Sequence, residues 1–137
     1  MKRRDFQQLA SIRLREANAL LAAGHWEGAY YLGGYVVECA LKACIARRTE
    51  RHEFPDKHRA QSSHTHRIKD LIRVAGIEED LEAASKTDLQ FAANWQAVEA
   101  WSEQSRYEPR TESDATNLLF ALKEKKHGVL RWLKEHW

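Results

Sequence analysis

A few charged and aromatic side chains have the chemistry to bind a ligand. Glu38 and Lys42 interrupt the longest apolar stretch of the 137-residue chain. At a spacing of four on a helix they can form an ion pair, and either charge would be costly to bury without the other. His66, Arg106 and Tyr107 are the further candidates. Lysine and arginine suit a phosphate group, and tyrosine can stack on a base or donate a hydrogen bond.

Two interpretations of these five residues stay open at this point. If the fold brings them together, they form a binding site for a ligand or nucleotide. A helix that begins at His66 and returns toward the helix carrying Glu38 would do so. Alternatively, they form a buried polar network that fixes the register of the helices, with Glu38 and Lys42 as partners of Arg106 and its neighbours.

Histidine and cysteine give little support to a metal site. His64 and His66 form an HxH pair, but no carboxylate or cysteine stands at a convincing ligand spacing. We therefore expect no metal and no other cofactor. Cys39 and Cys44 form neither a CxxC motif nor a disulfide framework, so we expect reduced core thiols in a cytoplasmic protein.

The composition predicts one all-α domain over residues 1–137. Six glycines and two prolines are few, and the alternation typical of strands is absent. The formal net charge of +2 does not require a nucleic-acid partner, although local basic patches could still bind one. Apolar spacing predicts a small helical bundle, with helices over residues 5–23, 26–48, 66–75, 86–104 and about 111–136. Residues 50–64 are a predicted loop, and residues 77–84 have room for a further turn or two.

The predicted helix over residues 26–48 is the centre of this bundle. It is apolar on most sides, so we expect several neighbours around it. Gly33 and Gly34 each cost about 1 kcal/mol of helix propensity, which predicts the close approach of another helix. Its apolar part approaches membrane-spanning length, but Glu38, Lys42 and the two glycines argue against insertion.

Trp132 lies beside the apolar stripe of the predicted last helix. An exposed aromatic side chain near the end of a bundle is typical of an interface, so we expect a homodimer formed through the fourth and last helices. Ordinary core filling is the alternative use of this side chain.

Three segments in the same order carry a resemblance to a known family. They are AYYLGGYVVECALKACI over residues 29–45, THRIKDL with His66 and Leu71, and SRYEP with Arg106, Tyr107 and Pro109. In the first, an acidic residue stands four before a lysine. Together they resemble the HEPN family, the domain of higher eukaryotes and prokaryotes often linked to nucleotidyltransferases. This resemblance implies an up-and-down bundle of four or five helices, usually dimeric.

The resemblance also implies a function. The leading hypothesis is a nucleotide- or RNA-binding protein that acts with a nucleotidyltransferase partner in a toxin–antitoxin-like or defence system. The alternative is a metal-independent, toxin-type ribonuclease, and a purely structural dimerisation domain is a further one. The family's ribonuclease signature is an arginine and a histidine with four to six residues between them. Arginine stabilises charge on the phosphate, and histidine exchanges a proton with the 2′-hydroxyl or leaving oxygen.

Five pairs in the chain have that spacing: Arg47–His52, Arg51–His58, Arg59–His64, Arg59–His66 and Arg131–His136. This abundance follows in part from the many arginines and histidines of the sequence. Arg131 is followed by Trp132, where the family's motif commonly has asparagine or aspartate. The pairs are therefore candidates only, beside the plainer interpretation of solvated charges.

Overall fold

The computed structural model describes residues 1–51 and 64–137, except for the side chain of Arg51. These residues form seven α-helices, one 3-10 helix and no strand, which confirms the all-α class. The helices are α1 (Arg3–Ala22), α2 (Trp26–Arg51), α3 (Ile68–Ala75), α4 (Glu78–Thr87), α5 (Leu89–Glu99), the 3-10 helix (Glu103–Tyr107), α6 (Glu112–Lys123) and α7 (Val129–Lys134). None of them is long and apolar enough to cross a membrane. The predicted loop over residues 50–64 falls outside the described residues except at its ends, where α2 continues through Arg51.

The central helix α2 packs against α1, α3, α6, α7 and the 3-10 helix. Most of its side chains between residues 29 and 45 are buried. A helix that is apolar on most sides has to be covered on most sides, which is the arrangement observed. The turn from α1 into α2 is a Schellman motif at Gly24 (φ 84°), in which the N–H groups of Gly24 and His25 donate to the carbonyls of Leu21 and Leu20.

Gly33 and Gly34 both mark close approaches to α2, and at Gly33 the neighbour is a helix, as predicted. A Cβ atom at Gly33 would lie 3.1 Å from methyl carbons of Leu118 and Leu119 on α6. A Cβ atom at Gly34 would lie 1.9 Å from the indole ring of Trp101. The lost helix propensity is therefore exchanged for two tight contacts, one with a helix and one with a tryptophan that follows α5.

The second half of the chain is more broken than its periodicity predicts. The predicted helix over residues 86–104 is the shorter α5, which begins where the Asp88 carboxylate accepts the N–H of Phe91 at 3.0 Å. The ten residues of α4 precede it. The predicted last helix is also wrong as a single element, because α6 ends at Lys123 and Glu124 takes a non-helical backbone conformation. Thr111 caps α6, where its side chain accepts the N–H of Asp114.

Trp132 is buried, so the expectation that it lies exposed at an interface is wrong. Only 8% of the residue is exposed. Its ring packs 5.4 Å from that of Phe91 and 6.2 Å from that of Trp95, between ring centroids. The break after α6 turns α7 so that this side chain faces α5. Core filling, the alternative given above, is the observed use of Trp132.

Candidate functional site

Four ionisable side chains, which we call the charged chain, run from α2 to the 3-10 helix: Lys42, Glu38, His66 and Glu103. Glu38, only 3% exposed, lies 3.7 Å from the Lys42 ammonium, oxygen to nitrogen. Its other oxygen lies 2.6 Å from Nδ1 of His66. The Nε2 atom of His66 lies 3.1 Å from a carboxylate oxygen of Glu103. The His66 ring thus lies between two carboxylates, with a carboxylate oxygen within hydrogen-bond distance of each of its nitrogens.

The charged chain contains three of the five residues predicted from the sequence. Its fourth member, Glu103, was not predicted. Lys42, Glu38 and His66 are brought together as the spacing and the helix order predict. Glu103 has no fixed sequence spacing to any of them. Its position, three residues before the candidate Arg106, was the signal that could have pointed to it.

Three aromatic side chains line the space beside the charged chain. The hydroxyl groups of Tyr31 and Tyr35 are 3.2 Å apart, and the ring centroids of Trp101 and Tyr35 are 5.6 Å apart. The Tyr35 ring also lies 6.3 Å from that of His66. Burial, with the Tyr31 hydrogen bond and the nearby Glu38 charge, raises the pKa of Tyr35. Tyr35 therefore stays a neutral phenol that can only donate or accept hydrogen bonds.

Arg106 and Tyr107 stand at the end of the 3-10 helix and face outward. Tyr107 is 70% exposed, and the guanidinium carbon of Arg106 lies 4.7 Å from the centre of its ring. The Tyr107 phenol, followed by Tyr31 and Glu103, raises the pKa of Arg106. Arg106 is not within ion-pairing distance of Glu38, so the expected Glu38–Arg106 partnership is not formed. His66 and Lys42 take that place.

A second arginine close by has a different environment. Arg110 lies 2.6 Å from the Glu108 carboxylate, and its guanidinium carbon is 4.2 Å from the centre of the Tyr30 ring. Tyr30 is only 6% exposed, and burial raises its pKa. Arg110 thus covers a core tyrosine, whereas Arg106 covers an exposed one. Arg110 therefore has a packing role, whereas Arg106 is accessible from solvent.

The arginine–histidine pairs are only partly described. His52, His58 and Arg59 lie outside the described residues, which leaves four of the five pairs without a complete geometry. In the fifth pair, Arg131 donates to the carbonyl of Lys126 at 3.3 Å. His136 instead lies 4.0 Å from Asp80, and its ring packs at a tilt against that of Trp132 with centroids 4.7 Å apart. The two members of this pair therefore face different neighbours.

Members of two different predicted pairs line one cavity. Arg47 donates to the carbonyl of Glu135 at 3.2 Å, and the neighbouring His136 belongs to the same cavity of about 300 Å³. Arg48 completes this wall by donating to the carbonyl of Val74 at 3.4 Å. Both arginines thus meet the carboxyl-terminal end of another helix, where exposed carbonyl groups attract cations. His64 lines a separate cavity of about 460 Å³ with Lys42 and the start of α1.

Cys39 and Cys44 are buried separate thiols, as predicted for the core. Burial raises the pKa of Cys39 to about 11 and that of Cys44 to about 12, so both are protonated at neutral pH. Among the described residues, no three histidine, cysteine, aspartate or glutamate side chains are grouped as metal ligands would be.

Comparison with known proteins gives one match. The family model of the HEPN domain matches residues 4–136, which is nearly the whole chain. No curated protein and no solved structure matches the sequence significantly.

Proposed function

The chain belongs to the HEPN domain family, and we propose that this member binds nucleotide or single-stranded RNA through Arg106 and Tyr107. The observation that carries the proposal is the exposed Tyr107 ring with the Arg106 guanidinium 4.7 Å from its centre. A guanidinium group binds phosphate, and an exposed aromatic ring offers a stacking surface to a base. The two groups thus match the two parts of a nucleotide.

The neighbouring charges support this assignment. Glu103 and Glu108 flank Arg106 in sequence and would repel a phosphate if they were free. The Glu103 carboxylate lies 3.1 Å from Nε2 of His66, and the Glu108 carboxylate lies 2.6 Å from a guanidinium nitrogen of Arg110. Each acid therefore has a partner other than Arg106. Arg106 itself is exposed and forms no ion pair among the described residues, so a ligand can reach its guanidinium group.

The charged chain has a positioning role in this proposal. Lys42, Glu38 and His66 are engaged with each other or with Glu103, so they have partners without any ligand. Their pairing holds the 3-10 helix against α2. In this way the second interpretation of the sequence, a register-fixing network, accounts for three candidates. The first interpretation, a binding site, accounts for Arg106 and Tyr107.

A binding measurement with matched variants tests the proposal. The probes are a fluorescein-labelled 12-mer of oligouridylate and ATP, titrated by fluorescence anisotropy and by competition. We expect Arg106→Ala and Tyr107→Ala each to weaken binding by about tenfold, since a charged hydrogen bond or a stacked base contributes on that order. Arg73→Ala is the control, because Arg73 is 63% exposed on α3 and lies outside the site.

The melting temperature separates binding from folding in this experiment. Arg106 and Tyr107 are exposed, so their alanine variants should melt within about 2 °C of the parent protein. Unchanged binding in both variants would contradict the proposed site. A large fall in melting temperature, in a protein that binds neither probe, would favour the purely structural interaction domain.

The proposal extends to the oligomeric state of the protein and to its partner. We propose that it forms a cytoplasmic homodimer that works beside a nucleotidyltransferase in a toxin–antitoxin-like or defence system. Family membership is the support for it. Sedimentation velocity tests the dimer, and co-purification with the product of the adjacent gene tests the partner. A monomer at 100 µM, on the order of a weak-dimer concentration, would reject the dimer.

A metal-independent ribonuclease is the second candidate, and one observation favours it. Arg47 and His136 line the same cavity, although the sequence places them in different pairs. Arginine could stabilise the phosphate charge while histidine exchanges a proton with the 2′-hydroxyl or the leaving oxygen. RNA cleavage in EDTA that His136→Ala abolishes and His25→Ala retains would support it. His25 is an exposed histidine between α1 and α2. No cleavage by the folded protein at high concentration would reject it.

A further inference from the structure

The turn between α6 and α7 carries a concentrated positive charge. Lys123 ends α6, and Lys125 and Lys126 follow within three residues. We call these three residues the lysine turn. Lys125 and Lys126 are exposed, and Lys123 donates to the side chain of Asn18 at 2.9 Å. Arg131, on the first turns of α7, is 60% exposed and donates to the carbonyl of Lys126.

The acidic groups near the lysine turn are already engaged. The Glu124 carboxylate accepts the backbone N–H of His127 and so closes the turn. Asp88 is held by the side chain of His127 at 2.6 Å. Glu135 is 3.9 Å from Arg131 and farther along α7. Neither Lys125 nor Lys126 forms an ion pair within 4 Å among the described residues, and both are exposed. Lys126 is near enough to Glu124 to contribute to the lowering of that residue's pKa.

An exposed aromatic side chain lies beside these lysines. Phe120 on α6 is 55% exposed, although its neighbours Leu119 and Ala121 are buried. It shares a shallow surface depression of about 420 Å³ with Lys123, Glu124, Lys125 and Lys126. An aromatic ring exposed next to ammonium groups is not required by the core. It is the combination that single-stranded nucleic acids use, with bases stacked on the ring and phosphates on the cations.

We propose that Phe120 and the lysine turn form a second contact surface for single-stranded RNA, separate from Arg106 and Tyr107. The inference rests on the proposed function for the identity of the ligand. The two surfaces lie at opposite ends of α6, whose 12 residues span on the order of 18 Å. The positive charge of the lysine turn favours a polyanion as the ligand. The exposed Phe120 ring favours a polyanion that carries bases.

Matched variants test the two parts of this surface. Lys125→Ala/Lys126→Ala removes two charges from the turn, and Lys69→Ala/Lys86→Ala removes two exposed charges elsewhere. Phe120→Ala removes the ring, and Leu89→Ala removes another apolar side chain that is 80% exposed. The probes are the labelled 12-mer of oligouridylate and inorganic polyphosphate, which has the charge of RNA but no bases.

The expected results differ between probes. The double lysine variant should weaken binding of both probes by about tenfold at low salt. It should also reduce the slope of log K against log salt for RNA by about 1.4, which is 0.7 for each lost phosphate contact. Phe120→Ala should weaken RNA binding about fivefold or more and leave polyphosphate binding unchanged, whereas Phe120→Trp should retain it. Both control variants should bind like the parent protein.

Several outcomes would overturn the inference. Equal binding by the two double lysine variants would show that the turn is only a solvated surface. An unchanged affinity for RNA in Phe120→Ala would reject the stacking role. If Arg106→Ala weakens RNA binding while the lysine variant does not, this surface is rejected and the proposed function stands. The reverse result would reject the Arg106–Tyr107 site and keep the lysine turn.

Discussion

Replacing Gly34 by alanine tests how the central helix positions the rest of the molecule. An alanine Cβ atom there would lie 1.9 Å from Cε2 of Trp101, a residue only 3% exposed, so the ring has to move. Overpacking a closed core costs about 1–3 kcal/mol, and the short distance to a rigid ring favours the upper value. Alanine returns about 1 kcal/mol of helix propensity. We expect the free energy of unfolding to fall by about 2 kcal/mol.

Gly33→Ala is the matched control, one residue away on the same helix. Its Cβ atom would lie 3.1 Å from the Cδ2 atoms of Leu118 and Leu119, which are the far ends of flexible side chains. A shift of a few tenths of an ångström relieves that contact. The gain of about 1 kcal/mol in helix propensity offsets its cost, so we expect a change within about 1 kcal/mol of zero.

Urea and thermal unfolding of both variants measure the difference. A loss of about 2 kcal/mol should lower the melting temperature of a domain of this size by roughly 8 °C. The near-ultraviolet circular dichroism of Gly34→Ala should also change, because Trp101 leaves its place beside Tyr31 and Tyr35. If Gly34→Ala is as stable as Gly33→Ala, the close packing of Trp101 on α2 is refuted.

Three further predictions concern the second half of the chain. Thr111→Ala should cost about 1 kcal/mol in urea unfolding by removing the cap of α6, while Ser113→Ala should cost much less. Trp132→Ala should cost about 3–5 kcal/mol, as a buried ring does, and a loss below 1 kcal/mol would contradict its core position. The hydrogen bond from His127, with that from the Phe91 N–H, lowers the pKa of Asp88 below its ordinary value of 3.8. Its contribution to stability is thus present above pH 3.8 and lost as the pH falls through the lower folded value. Asp88→Asn should therefore flatten the stability profile below about pH 4, and an unchanged profile would argue against this hydrogen bond.

The buried Glu38 explains why the charged chain and the 3-10 helix belong together. A buried carboxylate is costly unless cations and hydrogen bonds compensate it. Lys42 is supplied by the same helix, but His66 comes from the residues before α3. His66 then also faces Glu103, which links a third element to the same charge. The position of Arg106 and Tyr107 follows from this sequence of pairings.

The local features of the fold were predictable because short-range rules decide them. Gly24 and Gly76 end helices in the left-handed conformation, with φ of 84° and 74°. Thr111 caps a helix, and Glu38 and Lys42 pair at a spacing of four. Each of these depends on residues at most a few positions apart, so the sequence contains the necessary information.

The features that were missed depend on residues far apart in the chain. The end of α6 at Lys123 is not marked by a glycine or proline at or just after that residue. Trp132 becomes buried only because α7 packs on α5, some 40 residues earlier.

The residues of the site also fall into those predicted from the sequence and those that only the structure revealed. The amino-acid sequence by itself determined an all-α chain, a charged pair in its central helix and the candidates His66, Arg106 and Tyr107. Only the tertiary structure decided that Glu103, and not Arg106, completes the charged chain. The physical reason is that ion pairs between separate elements depend on how helices are placed in space, and no sequence spacing encodes that placement.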